Sequence, residues 1–307
     1  MISHLAVKTS APTAVYRHVI FADAARERRR PLDFGPPLGH ERPATSTQGS
    51  LAPHERAFVN WLFERAGLQS WHYRQETLAR RLPACLRLVR AHSIDAARAA
   101  IDNEPLLIGA AISALVIGVS SFFRDASVFH NLEDVVLPAL ISGQRTLRVW
   151  SVGCSDGQEL YSVTMLLAEM GWLNRAQLLG TDCRTDAVRH AAAGIYEPGD
   201  LSGVKRELLD RYFAPTQDDR WRVESRLRTV VQWRSADVLQ VVEPGSWDLI
   251  LCRNLAMYLE CEAATALWEQ LKRSLRAGGV LVVGKAERPT VQGLCPLAPC
   301  MFRRSRA

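Results

Sequence analysis

From Leu147 onward, short apolar runs alternate with longer amphipathic ones, and that rhythm leaves few folds open. It predicts strands at 147–152, 176–181, 228–233, 247–252 and 279–284, with helices at 158–170, 184–193 and 261–276. Strands separated by helices cannot pair as simple hairpins. Each returns by a crossover, which builds a mostly parallel sheet with helices on both faces, an α/β fold. Gly278-Gly279 is expected to close the last helix ahead of the buried run Val280-Leu281-Val282-Val283. Pro296 to Arg304 is expected to add one more edge strand, and the stretch 201–227 reads as a short excursion from the sheet.

The stretch 147–161, LRVWSVGCSDGQELY, is the most informative part of that pattern. It reads as a strand, a small-residue loop and a helix opening at Gln158 and Glu159, and the next strand ends in Gly180, Thr181 and Asp182. A loop that lets a ligand approach the backbone, followed by an acid at the next strand tip, is a nucleotide-site arrangement. A carboxylate accepts both hydrogen bonds of a ribose diol. The competing role for Asp182 is to cap the following helix, a common position for Asp. The loop holds only Gly153 and Gly157, short of the three spaced glycines of a dinucleotide fingerprint, and no Gly-Lys-Ser/Thr follows a glycine loop anywhere. Glu159 at a helix start would repel phosphate. It suits an amino group or a sulfonium, and S-adenosylmethionine is a nucleoside without phosphates that carries both.

At 307 residues the chain has room for roughly two domains. Hydrophobic residues make up 48% and charged residues 23%, as in an ordinary globular protein. No apolar run reaches the ~18 residues of a membrane helix. Charged residues interrupt the first residues before a signal-peptide core could form. Seven cysteines without a CxxC spacing fit a reducing, cytoplasmic setting, with neither a disulfide framework nor a metal site. Cys154, Cys183 and Cys252 fall near strand ends, where small thiols pack well. A net charge of +6 favours acidic partners, but no nucleic-acid recognition motif accompanies it.

Residues 1–50 combine five prolines, an arginine run at Arg26 to Arg30 and a Ser/Thr/Gly patch, a composition expected to form a disordered or loosely attached basic arm. Helical spacing follows over 54–66, 76–92, 95–102 and 106–115, with Ser93 expected as an N-cap. The helix at 76–92 buries Leu78, Leu82, Leu86 and Val89 and carries Arg80, Arg81, Arg87 and Arg90 on its other side. Most charged helix faces are simply solvated, yet four arginines with no acid among them are more one-sided than solubility requires. The expected organisation is a helical domain at 51–118, a linker with its FFRD segment at 119–146, and an α/β domain at 147–307.

With these elements in place, the chain resembles the CheR family of chemotaxis-receptor glutamate O-methyltransferases. The matching pieces occur in family order: SSFFRD (120–125), RVWSVGCSDGQELYS (148–162), LLGTD (178–182), GIYEP (194–198), RYF (211–213), DLILCRNLAMYL (248–259) and AGGVLVVGKAE (277–287). Each is weak alone; their order and spacing together are specific, and they span about residues 54–305. The resemblance implies a Rossmann-like class I methyltransferase sheet with a small N-terminal all-helical domain, using S-adenosylmethionine and releasing S-adenosylhomocysteine.

It also implies roles. Asp182 would hold the ribose, Glu159 the methionine end, and Asp237 with Val238 the adenine. Ser120, Arg124, Gly153, Asn254 and Leu255 complete the cofactor set, and Arg124 and Tyr258 would lie beside the transferred methyl. The arginine face would dock an acidic helical protein, such as a chemoreceptor cytoplasmic domain. The chain departs from the family at Gly118, where the family has an asparagine that contacts the cofactor's carboxylate end. It departs again at Gln158 and Leu160 in the loop, and at Lys285. Two alternatives stay open: a small-molecule methyltransferase, for which the arginine face would be dispensable, and a non-catalytic cofactor- or partner-binding member.

Overall fold

The computed structural model describes residues 49–306 apart from Ile117, Val242 and Pro244; the basic arm assigned to 1–50 lies almost wholly outside the described residues. Four helices come first: α1 (Pro53–Arg65), α2 (Gln75–Leu88), α3 (Ile94–Asn103) and α4 (Leu107–Leu115). Ser93 caps α3, its hydroxyl accepting from the Ala96 amide at 3.1 Å. Helix α2 ends at Leu88, earlier than its apolar spacing predicts, because Val89 and Ala91 turn back onto Cys85 and Leu86 while Arg90 takes a left-handed conformation at φ 56°.

The stretch 119–146 is more than a linker. Helix α5 (Ala126–Asn131), a π-turn over Leu132–Val136 and α6 (Leu137–Ile141) follow one another without a break. Val128, Phe129, Leu132, Val136, Leu137 and Leu140 recur at three- and four-residue spacing and are all buried.

The α/β part then runs β1 (Leu147–Val152), α7 (Gln158–Glu169), β2 (Ala176–Asp182), α8 (Thr185–Ala193), β3 (Ile195–Tyr196), α9 (Arg206–Tyr212), β4 (Phe213–Pro215), β5 (Trp221–Val223), α10 (Ser225–Arg228), β6 (Val231–Ser235), β7 (Trp247–Cys252), α11 (Cys261–Ser274), β8 (Leu275–Val283), β9 (Leu294–Ala298) and β10 (Met301–Arg304). Seven strands form one sheet in the order β6-β2-β1-β7-β8-β10-β9. The first five are parallel, and β10 enters antiparallel between β8 and β9.

Four sequence expectations shift. The strand placed at 228–233 is β6 at Val231–Ser235, because residues 225–228 are helical. The single edge strand at the C-terminus is a hairpin of two, β9 and β10. Gly278-Gly279 does not close a helix: α11 stops at Ser274, β8 already pairs at Leu275 with Trp247, and the register then jumps to Leu249 with Val280. The glycine pair therefore occupies an irregularity in a strand, where Gly278 has φ 79°. The excursion is also larger than 201–227. It opens at Ile195 and carries its own antiparallel sheet, β3-β5-β4.

Alternation along the central strands sorts the core into two layers. Leu147, Val149, Leu249, Leu251, Val280 and Val282 face α5 to α7 and the small sheet. Trp150, Val152, Ile250, Cys252, Leu281 and Val283 share a cluster with α11 and with Phe58, Leu62, Leu78, Leu82 and Leu115 of the N-terminal helices. Burying each such side chain contributes about 1.5–3 kcal/mol. The strand order reverses at β1, and a crevice opens beyond the strands' C-terminal ends where ligands of such sheets sit.

Candidate active site

The cleft at that reversal encloses about 1030 Å³, including its solvent-open mouth. The tips of β1, β2, β6 and β7 supply its floor, and Tyr73, Thr77, Leu115 and Val116 of the N-terminal helical segment close one side. All the residues assigned to cofactor or catalysis from sequence line it: Ser120, Arg124, Gly153, Glu159, Asp182, Asp237, Val238, Asn254, Leu255 and Tyr258. Gly153 adopts φ 64°, and a Cβ there would run into the Leu255 side chain. The turn after β1 thus needs glycine both for its backbone and for the close approach of Leu255.

Glu159 sits in the first turn of α7, whose N-cap Gly157 has φ 89°. Its side chain is only 12% exposed. One oxygen accepts from Ser151 Oγ at 2.9 Å and the other from Arg253 Nη1 at 3.2 Å. Burial pushes the Glu159 carboxyl above the usual range, and Arg253 and Ser151 pull against that rise. A desolvated carboxylate of this kind attracts a cation more strongly than a solvated one.

Arg253 was not singled out from sequence, although it is the arginine of the CRN motif. Its side chain is 2% exposed. Besides Glu159 it binds Asp125 Oδ2 at 2.7 Å and the Arg124 carbonyl at 2.9 Å. Asp125 takes Lys285 Nζ at 2.7 Å on its other oxygen. Burial works to raise the Asp125 carboxyl, but Lys285, Arg253 and Arg124 together hold it below the usual range. The departure at Lys285 therefore has a structural partner.

This network aims Arg124. Phe123 and Asp125 on either side of it have φ 52° and 61°, left-handed values that are uncommon outside glycine. The geometry survives because Phe122 and Phe123 are buried and the Phe123 amide donates to Ser162 Oγ at 3.0 Å. Arg124 does not pair with its neighbour Asp125. Its Nη1 donates to the Val119 carbonyl at 2.6 Å while the side chain lines the cleft. Tyr258 reaches the cleft wall from a separate element, a 3-10 turn over Ala256–Tyr258. Glu287, also missed from sequence, fastens that wall by accepting from the amides of Gly284, Asn254 and Met257.

At the other end of the cleft, Asp182 accepts from the Ser155 amide and the Arg184 amide, both at 2.9 Å, and from Arg184 Nε at 3.1 Å. Asp237 accepts from the Leu239 amide and Gln240 Nε2, and Val238 is buried at its side. Burial pushes the Cys154, Cys183 and Cys252 thiols up, so they stay protonated.

The four arginines are less uniform than the sequence suggests. Arg80 and Arg87 are exposed on one face of α2. Arg81 is half-buried, with its Nε lacking a hydrogen-bond partner. Arg90 lies past the helix end and so leaves that face. Gln158 is buried with its Oε1 unpaired, and Leu160 is core.

Two buried acids, Glu159 at the helix start and Asp182 at the next strand tip, lining one cleft with a glycine turn suit a nucleoside with a cationic end. Comparisons of sequence with known proteins agree. The chain is 31% identical over 201 residues to a chemotaxis protein methyltransferase of Listeria monocytogenes, covering 64% of this chain and 76% of that relative. It is 32% identical over 187 residues to chemotaxis protein methyltransferase Cher2 of Pseudomonas putida, covering 57% and 68%. Among solved structures, the N-methyltransferase NodS of Bradyrhizobium japonicum in complex with S-adenosyl-L-homocysteine matches at TM-score 0.33 and 15% identity, over 66% of this chain and 71% of that one. Residues 118–294 match the family described as CheR methyltransferase, SAM binding domain. The chain belongs to the CheR methyltransferase family, and its cofactor is S-adenosylmethionine.

Proposed function

We propose that this protein methylates glutamate side-chain carboxylates on an acidic helical protein of the chemoreceptor cytoplasmic-domain kind, acting in the cytoplasm. The observation that carries the reading is the convergence of Arg124 and Tyr258, from two separate elements, on the cleft that also holds Glu159 and Asp182. The chemotaxis methyltransferases among the relatives support the substrate class. No helix among the described residues is long and apolar enough to cross a membrane.

When bound, S-adenosylmethionine supplies an electrophilic methyl group. The acceptor glutamate is already ionised near neutral pH, so no side chain has to act as a general base. What the protein contributes is alignment and exclusion of water. Glu159 holds the amino end and Asp182 the ribose end, which fixes where the methyl lies. Arg124 presents a planar fork to the incoming carboxylate, and Tyr258 donates from a separate element. The helical segment 51–118 docks the substrate, with Arg80 and Arg87 meeting its acidic residues.

The deciding experiment incubates the protein with radiolabelled S-adenosylmethionine and a chemoreceptor cytoplasmic domain. Base-labile methyl esters on glutamate are expected. Label that appears only on small molecules, or none at all beside measurable cofactor binding, would overturn the reading.

A further inference from the structure

Both oxygens of Asp182 are already engaged. A carboxylate offers about four lone-pair sites. Here Oδ1 takes the Arg184 amide at 2.9 Å and Nε at 3.1 Å, while Oδ2 takes the Ser155 amide at 2.9 Å and Arg184 Nη2 at 3.5 Å. The Arg184 side chain is only 7% exposed although it lines the cleft. Nη2 also donates to Ser155 Oγ at 3.0 Å, and that hydroxyl donates to the Gly118 carbonyl at 3.0 Å. A Cβ built on Gly118 would fall inside the contact radii of Arg184 Nη2, Cζ and Nη1. The missing side chain at 118 is therefore what admits this guanidinium, so the departure at Gly118 and the arginine at 184 form one feature.

We propose that the Arg184 guanidinium is the resident occupant of the ribose subsite, so that cofactor binding is an exchange of one bidentate donor for another. The proposal rests on Asp182 being the ribose acid. A guanidinium edge presents two parallel N–H groups to a carboxylate, and a vicinal cis-diol presents two O–H groups to the same two positions. The two main-chain donors stay in place, so only one of the two bidentate partners fits. Arg184 occupies the N-cap position of α8, and its side chain can leave without disturbing that helix. Asp156, half-buried in the neighbouring loop, stands close enough to feel it: burial raises the Asp156 carboxyl, and the charges of His190 and Arg184 work against that rise. Arg184 thereby sets cofactor affinity and favours ligands that carry an intact diol.

Calorimetry with S-adenosylhomocysteine tests this on the full chain. R184A is expected to tighten binding about five- to tenfold, and G118A, which forces the guanidinium out, to tighten it similarly. The double variant R184A/G118A should bind no more tightly than R184A alone. R184K keeps a charge beside Asp182 but lacks the fork, so it too should tighten binding, which guards against a misfolded R184A. For a 2′,3′-dideoxy analogue the R184A gain should vanish. Weaker or unchanged binding of S-adenosylhomocysteine in both R184A and R184K would overturn the exchange and leave Asp182 as the ribose acid. Unchanged binding in D182A would instead remove the ribose-acid reading on which the exchange depends.

Discussion

The two acids of the cleft are held in opposite ways. Glu159 is braced by Arg253, which is 2% exposed and at the same time grips Asp125 and the Arg124 carbonyl. Asp182 is held by two main-chain amides and by Arg184, whose side chain comes from the loop entering α8. At the Glu159 end the partner is shared by three groups and has nowhere to go. At the Asp182 end the partner is a local side chain two residues away, whose donors a ligand is proposed to replace. In the proposed reading, one cleft joins a rigid end, which aligns the reaction, to an exchangeable end, which tunes affinity.

The largest expected effect breaks the rigid end. R253A removes the shared cation and leaves Glu159 and Asp125 buried without it, a change expected to destabilise the fold by about 3–5 kcal/mol. R184A should cost clearly less, since both main-chain donors to Asp182 remain. Denaturant unfolding of the two variants checks the contrast, and equal losses would erase it.

D182A comes next. It removes the proposed acceptor of the ribose diol, at roughly 1.5–3 kcal/mol for each charged hydrogen bond, a loss offset in part because Arg184 no longer has to be displaced. Titration calorimetry with S-adenosylhomocysteine should register the loss as weaker binding at an unchanged stoichiometry.

Arg124 belongs to the rigid end and lines the cleft, where it is proposed to meet the acceptor. R124A is expected to lower the transfer rate by about 100-fold, ~2.7 kcal/mol of barrier, while cofactor affinity stays within a few-fold. A matching drop in affinity would make Arg124 a cofactor ligand instead.

Acidity separates two carboxylates of the rigid end itself. Glu159 is raised in the fold, so its contribution to stability is full below the unfolded carboxylate range and is lost as pH rises through its folded value. Asp125 is lowered, so its contribution is present above that range and is lost as pH falls through its folded value. If the cofactor ammonium binds ionised Glu159 as proposed, affinity should begin to fall at a higher pH on acidification than it would for a solvated glutamate. E159Q should flatten that profile while weakening binding throughout.

The smallest effect lies outside the cleft. Reversing Arg80 and Arg87 to glutamate should raise the Michaelis constant for a receptor fragment several-fold at low salt and flatten the salt dependence, since screening shortens to about 3 Å at 1 M. Cofactor affinity should not move. Parental kinetics from this variant would favour a small-molecule acceptor.

Local pattern alone determined a good deal. The alternation from Leu147 sets the parallel sheet, because each run carries its own burial period. Gly153, Glu159 and Asp182 are legible because a turn, a helix start and a strand tip are fixed by residues close to them in the chain. Other features depend on partners far away in sequence. Arg253 finds Asp125 across 128 positions, and Arg184 depends on what is missing at Gly118, so neither role is written in its own neighbourhood. The segment 126–141 reads as a linker from sequence because Pro138 interrupts its helical period, and only the sheet packed against it makes it a core element. The glycine pair at 278–279 looked like a helix end because a bulge and a cap call for the same backbone freedom; pairing with β7 decided between them. Sequence settled what depends on backbone preference and burial period. Tertiary structure decided which charges meet, because a buried ion pair is defined by two distant residues losing water together.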